Sequence, residues 1–267
     1  MEYKTILFEV GDNIAHITLN RPEAANSVNS EMSVDLMRAS IQCGEDPEIR
    51  AVLISGAGRI FCSGGDLKEF AARGESLPSY IKEMTSYLHA AISRLVRLDR
   101  PVITAVHGSA AGAGMSLACA SDIVIAAEST HFTMAYTRVG LVPDASSTNT
   151  LPRLVGLKRA LELALTNRVL TAQEALEWGI VTQVVPNEEL IDKANALAVQ
   201  LAAGPTKALG VTKRLLYNGW TETLETQMEY ESQAIADMSR TADAREGITA
   251  FLEKRTPKFN RQRIADN

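Results

Sequence analysis

Apolar and polar positions alternate over residues 3–10 and again over 14–19, with Gly11, Asp12 and Asn13 between them, which predicts two strands of a hairpin. Ser30 is placed to cap a helix running to about Gly44, in which Met32, Leu36, Met37, Ala39 and Ile41 supply an apolar side. Residues 51–55 predict the next strand and residues 56–65 a loop, with Asp66 placed to cap whatever follows. A long amphipathic helix is expected over 79–98, stopped by Asp99, Arg100 and Pro101. The β-branched and apolar run 102–106 reads as a buried strand. After it come Gly108, Gly112 and Gly114 among small residues, then an apolar, helix-like run to Ala120.

The same periodicities predict strands at 123–126 and 131–133, helices at 149–155 and 171–178, a strand at 181–185 and a helix over 187–203. From Pro205 to Leu252 the pattern is helical, with interruptions near Gly219 and Thr241, and no strand candidate follows Val185. The chain therefore divides into an α/β core, residues 1–204, and a helical region, residues 205–267.

At 267 residues and 46% hydrophobic content, the chain suffices for one large domain or a domain with an appendage. A formal net charge of -5 without a long run of one sign argues against nucleic acid or an anionic membrane as partner and favours a metabolite. Cys43, Cys62 and Cys119 are odd in number, widely spaced and set among apolar residues, which suits reduced thiols in a cytoplasmic protein and offers no metal spacing. The apolar stretch 110–120 is too short and too rich in glycine to cross a bilayer, and the first residues do not form a signal sequence.

The candidate chemistry sits in two glycine-rich turns, Phe-Cys-Ser-Gly-Gly-Asp-Leu at 61–67 and Gly-Ser-Ala-Ala-Gly-Ala-Gly at 108–114. Small residues let backbone N–H groups approach a ligand, and the start of a helix adds partial positive charge for an anion. Glycines at these places serve equally to let two elements pack closely. Asp144, in Gly140-Leu141-Val142-Pro143-Asp144, is a candidate acid, and an Asp ahead of Ala145, Ser146, Ser147 and an apolar run is also a common helix cap. Neither Gly56-Ala57-Gly58 nor Gly112-Ala113-Gly114 completes a dinucleotide fingerprint. The stretch Gly114-Met115-Ser116-Leu117-Ala118 approximates a nucleophile elbow, but the last histidine is His131, whereas that hydrolase fold needs a late one.

Taken together with Arg21-Pro22 upstream and residues 251–255 (Phe-Leu-Glu-Lys-Arg) downstream, the two turns resemble those of the crotonase superfamily, also called the enoyl-CoA hydratase/isomerase family. The resemblance implies an α/β, crotonase-like spiral of ββα repeats with a helical C-terminal trimerisation region, assembled as a homo-trimer or a dimer of trimers. It implies an acyl-CoA substrate and no cofactor beyond the coenzyme A that the substrate carries. By motif position, the N–H groups of Gly65 and Ala113 would bind the thioester oxygen, a backbone role that alanine fills as well as glycine. Two fixed donors stabilise an enolate far more than the starting carbonyl.

The two glutamates that hydratases of the family use fall on Ser116 and Tyr136. Asp144 stands instead where Δ3,Δ2-enoyl-CoA isomerases and the ring-epoxide isomerase of phenylacetate breakdown keep their acid, and residues 241–247 resemble the same subgroup. Leu141, Val142 and Pro143 are expected to make the surroundings of Asp144 apolar. Substrate contacts are implied for Arg21, Ala24, Ser63, Asp66, Leu67, Lys68 and Tyr136, and, across a subunit boundary, for Phe251 and Lys254. The expected reaction moves a double bond from 3-enoyl-CoA to 2-enoyl-CoA with Asp144 as the one acid/base. A hydratase and a CoA-binding scaffold are the alternatives.

Overall fold

A computed structural model of the chain describes residues 2–259, so the end of the expected helical region, residues 260–267, lies outside the described residues. The chain starts with β1 (Ile6–Gly11) and β2 (Ile14–Leu19), paired antiparallel. Asp12 and Asn13 between them have φ of 52° and 63°, the left-handed pair that a tight two-residue hairpin turn demands. Helix α1 (Ser30–Glu45), β3 (Ala51–Gly56), the short α2 (Leu67–Ala72) and the long α3 (Leu77–Arg97) follow. The side chain that caps α1 belongs to Asn29, which accepts from the Met32 N–H at 2.9 Å, so Ser30 is the first helical residue rather than the cap.

Next come β4 (Val102–Val106), β5 (Ser109–Ala111), α4 (Ala113–Cys119), β6 (Ile123–Ala127), β7 (His131–Thr133), α5 (Ser147–Val155), α6 (Leu157–Thr166), β8 (Leu170–Thr171), α7 (Ala172–Glu177) and β9 (Gln183–Val185). Six strands form one sheet in the order β1-β2-β3-β4-β6-β9, parallel from β2 onward, and β5-β7-β8 form a second, smaller sheet. The period of two in the strands sorts their side chains. Ile14, Leu53, Ile103, Ala105 and Ile125 face α8 (Leu190–Ala202), whose Leu190, Ala194 and Ala198 recur on one stripe. Ile17, Val52, Ile54, Val102 and Val124 face the other way, into the core shared with α1 and α3.

Two short strands and a helix lie where the local pattern predicts none. β5 and β8 are three and two residues long and become strands by pairing with β7, a partner distant in sequence. In α6, only Ala160 and Leu163 are buried, while Leu157, Leu161 and Leu165 form a second apolar stripe that faces outward and blurs the amphipathic period.

The chain ends in α9 (Thr206–Asn218), α10 (Leu224–Ser239) and α11 (Ala242–Leu252). α9 is bound into the core. Its Lys213 Nζ donates to the Leu95 carbonyl at 2.9 Å and pairs with Asp122 Oδ2 at 2.7 Å, while Arg50 reaches the Gly204 carbonyl at 2.6 Å and Thr206 Oγ1 at 2.9 Å. α10 has no buried residue, and Leu224, Met228, Ile235, Ile248 and Phe251 on α10 and α11 are exposed. Among the described residues, no helix is long and apolar enough to cross a membrane.

Burial pushes the Asp122 carboxyl up and the Lys213 ammonium down, so desolvation outweighs their attraction and the pair anchors α9 without being a large net source of stability. Lys213→Met strands the buried carboxylate and is expected to cost roughly 3–5 kcal/mol. Adding Asp122→Asn, whose amide oxygen still accepts from the Val102 N–H, is expected to recover most of that loss in a urea-denaturation double-mutant cycle.

Candidate active site

The two glycine-rich segments leave the ends of the adjacent parallel strands β3 and β4 and run alongside one another. The Cys62 N–H donates to the Ser109 carbonyl at 3.1 Å and the Ala111 N–H to the Cys62 carbonyl at 2.9 Å, a parallel bridge that locks their register. Glycines make the approach possible. A Cβ on Gly114 would fall 2.6 Å from both Cys62 Cβ and the Cys62 carbonyl oxygen, and one on Gly64 would fall 3.1 Å from the Ala111 carbonyl oxygen. Gly64 and Gly112 have φ of 101° and 51°, backbone conformations that residues with a side chain rarely adopt.

Gly65 and Ala113 directly follow those two glycines. In the bridge between Val28 and Gly65, Val28 N–H donates to the Gly64 carbonyl at 2.7 Å and Asp66 N–H to the Val28 carbonyl at 2.9 Å, which turns the Gly65 N–H to the opposite side. Ala113 is the first residue of α4, and the first helical bond of that segment is made by Ser116 N–H to the Gly112 carbonyl at 3.0 Å. Among the described residues, neither the Gly65 nor the Ala113 N–H has a protein partner.

A hydrogen-bonded cluster around Asp144 reaches the Gly112 carbonyl, next to Ala113. Tyr136 Oη donates to Asp144 Oδ1 at 2.7 Å and is 3.1 Å from Ser116 Oγ, which is itself 3.2 Å from the Gly112 carbonyl. Burial, and then the charge of Asp144, push the Tyr136 hydroxyl far above its ordinary range, so it stays protonated and donates. His89 of α3 closes the other side, with Nε2 3.2 Å from Asp144 Oδ2. Ser116, Tyr136 and Asp144, singled out separately along the chain, thus form one chain of contacts that ends on the second glycine turn.

The carboxylate of Asp144 does not cap α5. The helix begins after Ser146, no side chain caps it, and Asp144 contributes its carbonyl to Ser147 instead. Ala145 and Ser146 are both left-handed, with φ of 55° and 69°, and this double twist turns the carboxylate toward Tyr136 and His89. The expected apolar surroundings are also corrected. Val142 is 77% exposed, and the groups that meet Asp144 are polar.

Arg21 and Asp66 are turned inward toward each other, with Nη2 2.9 Å from Oδ2, and Arg21 Nη1 also donates to the Ser27 carbonyl at 2.5 Å. Asp66 in addition caps α2 at the Glu69 N–H, 3.2 Å away. The pair braces the turn that carries Ala24 against the first glycine segment. Ser63 is exposed in the first glycine turn, and Leu67 and Lys68 are exposed at the start of α2. Phe251 and Lys254 stand exposed at the end of α11, outside the Asp144 cluster. His89 carried no local signal beyond its place in an amphipathic helix, since its partner lies 55 residues away.

The enoyl-CoA hydratase/isomerase family model matches residues 9–262. The chain is 44% identical to 1,2-epoxyphenylacetyl-CoA isomerase of Escherichia coli over 95% of its own length and 97% of that protein's. It is 41% identical to a probable enoyl-CoA hydratase of Rhodobacter capsulatus, over 97% of its length and 99% of the relative's. A crystal structure of a putative enoyl-CoA hydratase from Streptomyces coelicolor superposes with a TM-score of 0.93 at 33% identity, covering 98% of this chain and 96% of the other.

Gly114→Ala forces a methyl against the Cys62 backbone and is expected to cost about 1–3 kcal/mol by separating the two segments. Gly11→Ala, which meets nothing within 4 Å, is the matched control, and calorimetric melting compares the two.

Proposed function

The chain belongs to the enoyl-CoA hydratase/isomerase family, and we propose that it is an acyl-CoA isomerase that moves a double bond from the 3 to the 2 position with Asp144 as its single acid/base. The observation that carries this reading is the cluster itself. Ser116 and Tyr136, at the positions where hydratases of the family keep glutamates, are neutral hydroxyls bonded in series to Asp144, so the cluster offers one carboxylate. A hydratase must hold and activate water as well as move a proton; a double-bond shift needs only a proton taken from C2 and returned to C4.

In this reaction the N–H groups of Gly65 and Ala113 bind the thioester oxygen as charge develops on it, each lowering the barrier by roughly 3 kcal/mol. Asp144 accepts the C2 proton, breaking the C–H bond and leaving the electron pair in the enolate. It then gives a proton to C4 as the pair forms the new double bond. Tyr136 holds Oδ1 from the side, which fixes the plane of the carboxylate while the acid is made and spent. The substrate carries its own coenzyme A, and no cofactor enters the scheme.

Ser63 in the first glycine turn and Leu67 and Lys68 at the exposed start of α2 are assigned to the coenzyme A portion, with Arg21, Ala24 and Asp66 shaping the turn beneath it. Phe251 and Lys254 are assigned to a neighbouring subunit's site. Support comes from the outward leucine stripe of α6 and the exposed apolar residues of α10 and α11, two distinct faces on one chain that suit a closed ring. The three buried cysteines, all free thiols, fit a cytoplasmic enzyme. Identity to a relative named for 1,2-epoxyphenylacetyl-CoA makes ring-derived acyl-CoA the second substrate class to test.

Incubation with 3-enoyl-CoA and 2-enoyl-CoA in parallel separates isomerisation from hydration by product mass. Asp144→Asn is expected to lower 3-enoyl-CoA turnover about 10²- to 10⁴-fold with binding retained, and Ser116→Ala less than about tenfold. Undiminished turnover in Asp144→Asn sinks the assignment. Sedimentation is expected to show a trimer or hexamer, and a strictly monomeric protein removes the role given to Phe251 and Lys254.

A further inference from the structure

The two oxygens of Asp144 have different outlets. Oδ1 meets Tyr136, and beyond it Ser116, which is fully buried, so that side ends inside the protein. Oδ2 meets His89, whose side chain is 49% exposed against 26% for that of Asp144 and lines a cavity of about 650 Å³ between α3, α5 and α9. We propose that His89 relays protons between Asp144 and water in this cavity, so that the proton taken from the substrate exchanges with solvent before Asp144 returns one. This rests on the reading of Asp144 as the acid/base.

One atom of His89 suits both halves of the relay. Nε2 lies 3.2 Å from Asp144 Oδ2 and also 3.2 Å from the Ala145 N–H. Its one lone pair is shared between that N–H and a protonated Asp144; once protonated, Nε2 donates to the carboxylate and the Ala145 N–H gives up its acceptor. In the transfer the Asp144 O–H bond breaks and the Nε2–H bond forms, giving carboxylate and imidazolium. The imidazolium then releases its Nδ1 proton to a cavity water. In reverse, Nδ1 takes a proton from water and Nε2 returns one to Asp144, so the cycle consumes nothing. Histidine is the side chain whose ordinary titration lies close enough to neutrality for both steps.

The other groups at the cavity do not compete for the proton. Arg97 of α3, Arg153 of α5 and Arg214 of α9 are cations, Arg214 being paired with Asp99. Tyr217 of α9 is held protonated, burial pushing its hydroxyl up to about 12, and Tyr136 is committed to Oδ1.

The experiment is isomerisation of 3-enoyl-CoA in D₂O, with deuterium at C4 of the product read by mass spectrometry at low conversion. The wild-type enzyme is expected to place solvent deuterium at C4 in most turnovers. His89→Gln keeps a side-chain amide near Asp144 but cannot pass a proton, and deuterium per product is expected to fall several-fold while turnover falls by up to about tenfold. His89→Gln that loses turnover with unchanged deuterium per product makes His89 a positioning residue only and overturns the relay. Wild-type product without solvent deuterium overturns it too. Failure of the isomerase reading shows differently, as no 2-enoyl product from the wild-type enzyme, and the relay falls with it.

Discussion

The backbone contact between the segments after β3 and β4 is the constraint on which the rest of the site depends. Two parallel strands end side by side, and their continuations stay paired through Cys62 and Ala110 because glycines at 64, 112 and 114 remove the side chains that would hold them apart. Pairing on one edge leaves the Gly65 and Ala113 N–H groups unspent just past the contact. Backbone donors without partners are rare where water is excluded, since each costs desolvation free energy, and of these two the Ala113 N–H stands at the start of the buried helix α4.

Around that contact the protein accepts backbone strain. Ala135, Ala145 and Ser146 are left-handed residues flanking Tyr136 and Asp144, each costing of order 1–3 kcal/mol. The strain aims side chains: the twist at Ala145 and Ser146 takes the carboxylate off the helix it would otherwise cap, and the twist at Ala135 sets the short 3-10 turn that presents Tyr136. The same carboxylate is then held on one oxygen by the Tyr136 hydroxyl and met on the other by a half-exposed imidazole.

Elements of the core with a clean period were legible. β2, β3, β4 and β6 alternate or run apolar, α3 and α8 keep one stripe, and the Gly11-Asp12-Asn13 turn demands a hairpin; each is dictated by residues within a few positions of one another. The glycine turns and Asp144 were legible as candidates for the same reason, as local composition. Ser30 as a cap was displaced by Asn29, a shift of one residue between two good cap formers. α6 was hidden because its leucines at 157, 161 and 165 face outward from a single chain.

What the sequence by itself determined is therefore the α/β core, the helical end, the two glycine turns and Asp144 as a candidate acid. That the Asp144 carboxylate leaves α5 uncapped and meets Tyr136 and His89 was decided only by the tertiary structure, beside two left-handed residues that no local preference predicts. Only the structure joined Ser116, Tyr136, Asp144 and His89, since the hydrogen bonds span 20, 8 and 55 residues. Periodicity reports which side of an element is buried. It carries no information about which polar tips from different elements arrive at the same point, because that is settled by how the sheet, α3 and the glycine segments pack.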